Sequence, residues 1–541
     1  MTQTLETFVV AARQCATPLV AVATPDQAKT IERIRKTFEG AAAKSPIPVI
    51  QWDSLNGLTG LNACGTDVLK KSLGDDDTIW AGLTSNPAAA LGVIATLPGE
   101  MREGGRPDGK LAQRGAMIFM LNAQRYFEDR EGVSPGQVIQ GIWNLRDPFK
   151  SNRRTLVLLG PAFVFPPELA QDVIEFDEPY PNEGELRAVV TKGVAEAGLA
   201  ELDDAQVEQA IDAVTGLAAF TAEQVIAMSL TKAGLDVDAL WQRKVSVVEQ
   251  TKGLSVDRGD ESFDDVCEVD NFLSFARRLV GSAKAPTLYV RLDEMEKSFG
   301  GLGVNGGPAD NTGMTQDLVG VILRTMEDYN WTGFIMVGHA GTGKSLVTKS
   351  LANAASKIMK RRVLSTALDL GALMTSAAGE TGQAMRVAVK VIRSLARGGR
   401  VCVVGTCNDM NVLPPALKRR FKLGTWMFDL PGRAGKDKMW AKNAKKYGVK
   451  EKQFPDDADW TGSDIRNVCE TAELLGAPLS EVIGYTTFVA KSDPEAIARL
   501  QRIADGKFVS ASSPGVYRAP GSKVVAAAAV APGRASRGEE N

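Results

Sequence analysis

A chain of 541 residues is too long for one hydrophobic core and has room for roughly two to four domains. Its 63 Lys and Arg nearly balance 65 Asp and Glu, so it lacks the charge field that a nucleic-acid or anionic-membrane partner would exploit. With no apolar run near the roughly 18 to 20 residues of a bilayer span, no signal-peptide layout in MTQTLETFVV and no C-x-x-C pair among six cysteines, the expectations are a cytosolic location, no membrane partner and no zinc centre.

From the N-terminus, short β-rich runs alternate with helical stretches, a texture that predicts a parallel α/β sheet. The candidate strands are PLVAVAT (18–24), IPVIQW (47–52), GAMIFML (115–121), RTLVLLG (154–160) and DVIEFD (172–177). Past Pro181, apolar residues in ELRAVVTKGVAEAG and AQVEQAIDAVTGL recur at i, i+3 and i+4, predicting helices. The scheme then repeats with TLYVRLD (287–293), GFIMVG (333–338), RVLSTALD (362–369), RVCVVGT (400–406) and TWMFDL (425–430), followed by more helices. The predicted domains are an α/β module (1–180), a helical lid-like segment (181–255), a second α/β subdomain (256–430), a helical lid (431–500) and an Ala-, Gly- and Pro-rich flexible tail (501–541).

The most specific signal is GHAGTGKS, Gly338 to Ser345, which fits G-x-x-x-x-G-K-[ST] between an apolar strand and a helix-forming run. Glycines let such a loop turn its backbone N–H groups inward around phosphate oxygens, at a helix N-terminus whose dipole favours anions. The predicted nucleotide-binding set is Gly338, His339, Ala340, Gly341, Thr342, Gly343, Lys344, Ser345 and Leu346. Lys344 would reach the β- and γ-phosphates of ATP and the Ser345 hydroxyl would ligate Mg²⁺. His339 reads as a loop-surface side chain that the position tolerates.

A phosphate loop needs an acidic partner, and downstream neither Asp369 nor Glu380 belongs to an Asp-Glu pair. Upstream, TLYVRLDEMEKSFGG is an apolar strand ending in Asp293-Glu294. Asp293 is the expected second Mg²⁺ residue and Glu294 the group that polarises the attacking water. The strand RVCVVGTCN ends in Asn408, whose amide could orient that water. LPPALKRRF then places Arg419 and Arg420 at the end of a short helix begun by prolines.

Together with TGSDIRNV, where Gly462 and Ser463 precede Asp464, these segments resemble the AAA family of the AAA+ ATPases. The phrases DEMEKSFGG and LPPAL resemble the conserved open-reading-frame AAA ATPases of cyanobacteria and algal plastids, relatives of the FtsH-like group. The likeness covers most of residues 15 to 490, with specific motifs from about 285 to 470. It implies an α/β P-loop NTPase fold with a helical lid and a sheet ordered 5-1-4-3-2. The acidic strand would have moved ahead of the phosphate-loop strand, giving the chain order 3-1-2-4-5. It also implies Asn408 as sensor, Gly462 and Ser463 as nucleotide contacts, and Arg419 or Arg420 as a finger supplied to a neighbour in a homo-oligomeric ring, a hexamer being one candidate size.

The resemblance includes a degenerate first module, and two features depart from it: the relocated acidic strand and the pore loop. The first module has PDQAKT where a glycine loop belongs, and its acidic strand ends in Asn122, so it is expected to bind no nucleotide. The pore-loop position carries Met374-Thr375-Ser376-Ala377-Ala378 without an aromatic. Arg466 reads either as a lid arginine touching nucleotide or as a surface ion-pair partner. The expected function is Mg-ATP hydrolysis that remodels an unidentified protein partner. The alternative is a nucleotide-gated scaffold with little turnover, and a nucleic-acid loader is disfavoured by the neutral charge.

Overall fold

The computed structural model describes residues 4–41, 47–74, 82–84, 86–97, 115–128, 134–299, 314–373, 378–410, 413, 415–451, 453–488 and 494–522. Most of the pore-loop segment, residues 374–377, lies outside them. The chain forms two compact units, one of Met1–Val256, Ala309–Asn330 and Thr366–Val401, the other of Asp257–Pro308, Trp331–Ser365 and Cys402–Asn541. Among the described residues no helix is long and apolar enough to cross a membrane.

The first unit is built on strands β1 (Leu19–Ala23), β2 (Val49–Asp53), β3 (Gly57–Gly60), β4 (Met117–Met120), β5 (Thr155–Gly160) and β6 (Ile174–Asp177), in the order β3-β2-β4-β5-β1-β6. All neighbours are parallel except β3, which returns antiparallel on β2. Strands β1, β4 and β5 read as continuous apolar runs because both of their faces are covered. Leu19, Ala21, Ile118, Leu156 and Leu158 enter one core, and Val20, Val22, Phe119, Val157 and Leu159 enter the other. The expected helices follow at Glu183–Glu196, Asp204–Val214, Ala219–Ala227 and Val237–Glu249, the first two opened by capping boxes at Asn182 and Asp203. Strand β7 (Leu254–Val256) pairs antiparallel with Thr366–Leu368.

Residues 309–330 and 366–401, inside the span 256–430, group with the first unit. Ion pairs remote in sequence account for this. On helix Ala378–Leu395, Lys390 donates to the carbonyl of Ala23 at 2.6 Å and pairs with Asp177 at 2.6 Å, while Arg393 meets Asp177 at 3.1 Å. Just beyond, Arg397 bridges Glu183, Glu208 and Asp212.

The second unit contains β8 (Leu288–Leu292), β9 (Thr332–Gly338), β11 (Val401–Cys407), β12 (Thr425–Phe428), β13 (Val509–Ser510) and the first residues of β10 (Leu364–Leu368). Their order is β13-β12-β9-β11-β8-β10. β9 runs parallel to both β11 and β12. Phe272, Phe334, Met336, Leu351, Trp426 and Phe428 fill the core on one face. A separate core gathers Trp440, Ile465, Val468 and Leu479 from helices Arg433–Lys446, Gly462–Leu475 and Leu479–Val482, together with Trp460 from just before the second of them. The two sheets thus share one spatial plan, β6-β1-β5-β4-β2 and β12-β9-β11-β8-β10, but in the second the fourth strand of that row comes first in the chain.

In the segment expected to be a flexible tail, the described residues 501–522 are part of the fold. Helix Pro494–Ala504 covers its beginning, β13 pairs parallel with β12, Ala511 is buried in the core, and Tyr517 is buried with its hydroxyl on Asp429. Average composition hides this because a few apolar residues at one sheet edge suffice. Truncation after Ala504 therefore lowers the melting temperature of the chain by roughly 5 °C or more, since each kcal/mol lost shifts a domain of this size by about 2–4 °C. Differential scanning calorimetry checks this, and an unchanged transition contradicts it.

Candidate nucleotide-binding site

Strand β9 delivers its last residue, Gly338, between Phe428 of β12 and the end of β11. A Cβ at Gly338 would stand 2.2 Å from the carbonyl oxygen of Phe428, so only glycine lets the strands close there. The loop then turns through left-handed conformations at Gly341 (φ 83°) and Gly343 (φ 89°), and Gly343 opens helix Lys344–Met359 without a side-chain cap. Lys344 is only 8% exposed. Its ammonium folds back to donate to the carbonyls of Gly338 (2.6 Å) and His339 (2.8 Å) and to Asn408 Oδ1 (3.0 Å). Burial lowers its pKa to about 8, against the opposing pull of Glu296, Cys407 and Glu294. Ser345 is exposed at the first turn of the helix.

The acidic segment follows β8. Glu294 takes a left-handed backbone (φ 46°), its N–H donates to Thr406 Oγ1 at 2.9 Å, and that hydroxyl donates to Asp293 Oδ1 at 3.1 Å. Asp293 is also paired with Arg291, whose guanidinium meets Asp257 at 2.6 Å. The Glu294 carboxylate pairs with Lys297 at 2.6 Å, a contact between side chains well open to solvent. Asn408 turns its amide nitrogen to Glu296 Oε1 at 2.7 Å, and Glu296 Oε2 is buried without a partner.

On the lid side, Thr461 caps helix Gly462–Leu475 in a reciprocal box with Asp464, which is why the segment T-G-S-D starts a helix here. The backbone N–H of Ser463 lies 3.3 Å from the carbonyl oxygen of Gly341, so lid and phosphate loop touch. Between them lies a cavity of about 850 Å³. Ala340 to Leu346, Asp293, Glu294, Asn408, Gly462 and Ser463 line it. Gly338 and His339 lie behind the loop, His339 half-buried with Nδ1 3.2 Å from the Ala340 carbonyl. Arg419, exposed, and Arg420, half-buried, end helix Pro415–Arg420 and do not line the cavity. Arg466 also lines it.

Sequence reading missed part of the wall. Met439, Lys442, Asn443 and Lys446 form one helical stripe facing the cavity, legible as i, i+3, i+4, i+7 spacing in MWAKNAKK. Lys442 bonds Asp265 at 2.7 Å, and that bond is the main cause holding the Asp265 carboxyl down at about 2. Glu296, one residue past the Asp-Glu-Met step, carried no motif signal that separated it from its neighbours.

Residues 1–177 match the family model of the SpoVK-like AAA ATPase N-terminal domain. That match supports an AAA+ ATPase, with nucleotide binding and ATPase activity as the family's general properties. A search of curated proteins finds no significant match.

The lid contact makes Gly341 the more sensitive of the two left-handed glycines. A Cβ there would meet Ser463 Oγ at 2.2 Å and Thr461 Oγ1 at 2.5 Å, whereas one at Gly343 meets nothing within 4 Å. Both Gly→Ala changes carry the left-handed penalty of about 1–2 kcal/mol. Gly341→Ala alone should also loosen the lid. Urea denaturation followed by the fluorescence of Trp440 and Trp460 should shift more for Gly341→Ala than for Gly343→Ala; equal shifts contradict the contact.

Proposed function

We propose that the chain is a Mg-ATP-binding AAA+ ATPase that hydrolyses ATP in a homo-oligomer and uses the energy to remodel a protein partner. The observation that carries this reading is the buried Lys344 ammonium, held by its own loop carbonyls and by Asn408 at the mouth of a cavity that the lid helix also lines. A buried cation with only neutral partners is ready to exchange them for phosphate oxygens. The exposed Ser345 hydroxyl and the Asp293 carboxylate are hard oxygen donors that would hold Mg²⁺, which would supply positive charge to offset that of the phosphates.

In this reading Ala340 to Leu346, with Gly462 and Ser463, hold the polyphosphate, Glu294 lines the cavity as the base for water, and Asn408 orients it. The strand row β12-β9-β11-β8-β10 supports the assignment of β8 as the relocated acidic strand, because it stands two places from the phosphate-loop strand, as the row 5-1-4-3-2 requires. Arg419 and Arg420, outside the cavity of their own chain, fit fingers that act on a neighbour, in a ring whose size is open. The likeness to the cyanobacterial and plastid group rests on DEMEKSFGG and LPPAL, and the cytoplasmic location on sequence texture.

The first module is proposed to bind no nucleotide. Where a phosphate loop would lead into helix Gln27–Ala41, Asp26 accepts from the N–H of Lys29 at 3.1 Å and Glu178 accepts from Thr30 at 2.5 Å. Glu178 is also paired with Arg33 at 2.7 Å, so this turn is held by its own side chains and has no glycine loop to receive phosphate. Its role is then structural or partner-binding.

A second reading, a nucleotide-gated scaffold with little turnover, is favoured by one contact: the Glu294 carboxylate is paired with Lys297. Phosphate release separates the two. The ATPase reading predicts turnover that rises with oligomer formation as protein concentration increases and falls at least about tenfold in an Arg419→Ala/Arg420→Ala variant. Tight binding with no release in the wild type supports the scaffold.

Lys344 gives the binding a pH signature. Only the ammonium pairs with phosphate, and in the free site it is lost as pH rises through about 8. ATP affinity therefore falls across that range, and binding at pH 8.5 takes up a proton. Calorimetry in two buffers of different ionisation enthalpy measures the uptake; none at pH 8.5 contradicts the assignment.

A further inference from the structure

Three groups form a chain of contacts in the candidate site: Lys344 Nζ donates to Asn408 Oδ1 at 3.0 Å, and Asn408 Nδ2 donates to Glu296 Oε1 at 2.7 Å. We infer that Glu296 is a positioning residue for the proposed reaction, fixing which face of the Asn408 amide meets the phosphate side of the cavity. The inference rests on the nucleotide-site reading above.

The reasoning starts from what each group can do. An ionised carboxylate only accepts hydrogen bonds, and a lysine ammonium only donates. Between them an asparagine has one orientation that satisfies both, with Nδ2 on Glu296 and Oδ1 on Lys344. When Lys344 turns to a phosphate, Oδ1 is released while Nδ2 stays on Glu296. The freed acceptor then points where Lys344 stood, ready to take a hydrogen from the attacking water. With a glutamine at 296, which both donates and accepts, the amide can sit either way round and present a donor there instead.

The neighbouring acids do not share this position. Glu294 lines the cavity, but its carboxylate is held by Lys297 at 2.6 Å. Asp293 is occupied by Arg291 and Thr406. Glu296 does not line the cavity, which is why it acts through Asn408 rather than on the water itself. Its remaining oxygen, Oε2, is buried and lacks a hydrogen-bond partner within 3.5 Å among the described residues, with the Cys407 thiol nearby. Among the carboxylates that bear on the Lys344 ammonium, Glu296 exerts the largest pull, ahead of Glu294.

The test uses the full chain, a fluorescent ATP analogue for binding and single-turnover hydrolysis of labelled ATP with enzyme in excess. Glu296→Gln should bind the analogue within about threefold of wild type and hydrolyse ATP at least about tenfold more slowly. Glu296→Asp, which keeps a carboxylate, should stay within about fivefold of the wild-type rate, and it remains informative should Glu296→Gln fail to fold by circular dichroism. Asn408→Ala should slow the reaction, and the Glu296→Gln/Asn408→Ala pair should be no slower than the slower single variant, because the two act as one unit. A wild-type rate in Glu296→Gln, a rate in Glu296→Asp reduced more than about tenfold, or multiplied losses in the pair would overturn the inference. A wild type that binds ATP but hydrolyses it no faster than Lys344→Ala overturns it too, while leaving the binding site standing. A wild type that binds no ATP sinks the site reading and this inference together.

Discussion

Keeping one ammonium charged inside the protein is the constraint on which the rest of the site depends. Lys344 is nearly inaccessible to water, and a buried charge without partners is too costly to survive. The chain meets the demand with two carbonyls of the loop that carries the lysine and with an amide from the next strand, β11. Each partner imposes a further condition. The carbonyls of Gly338 and His339 turn inward only because the loop passes through Gly341 and Gly343 in left-handed conformations. Asn408 reaches the lysine only because β9 and β11 are parallel neighbours in register, with Val337 opposite Cys407. Asn408 in turn is held by Glu296 from the segment after β8.

The same sheet plan appears twice, and the G-x-x-x-x-G-K-[ST] loop stands only in the second copy. In the first unit, β1 ends at Ala23 and runs into Thr24-Pro25-Asp26, where hydroxyls and carboxylates bond to one another: Thr24 to Thr30, Thr30 to Glu178, and Arg33 to Glu178. That network stabilises the turn. In the second unit, the strand that stands fourth in the row comes first in the chain. Such a change of connection is tolerated when the crossovers keep their hand, since the row of neighbours, and hence the core, is unaltered.

Much of this was legible in the sequence because it is local. Apolar runs such as TLVLLG and GFIMVG are buried on both faces and read as strands whatever their neighbours do. The phosphate loop is legible because its glycines, lysine and serine are contiguous. What escaped depends on long-range contacts or a single dihedral. The left-handed turn at Glu294 decides which of three closely spaced acids faces Asn408, and no spacing rule encodes it. The assignment of helix Ala378–Leu395 to the first unit follows from Lys390 and Arg393 meeting Asp177, some two hundred residues away in the chain. The fold of residues 501–522 rests on Ala511 and Tyr517 finding a sheet edge, which average composition cannot register.

The central claim is that one working nucleotide site exists per chain and that Lys344 is its cation. Isothermal titration of the full chain with ATP and Mg²⁺ at pH 7 tests it most directly. The account predicts one ATP per chain for the wild type, and binding weakened by at least about a hundredfold in Lys344→Ala, the loss of roughly 2.7 kcal/mol. Two sites per chain, or a Lys344→Ala variant that binds as tightly as the wild type, would contradict it.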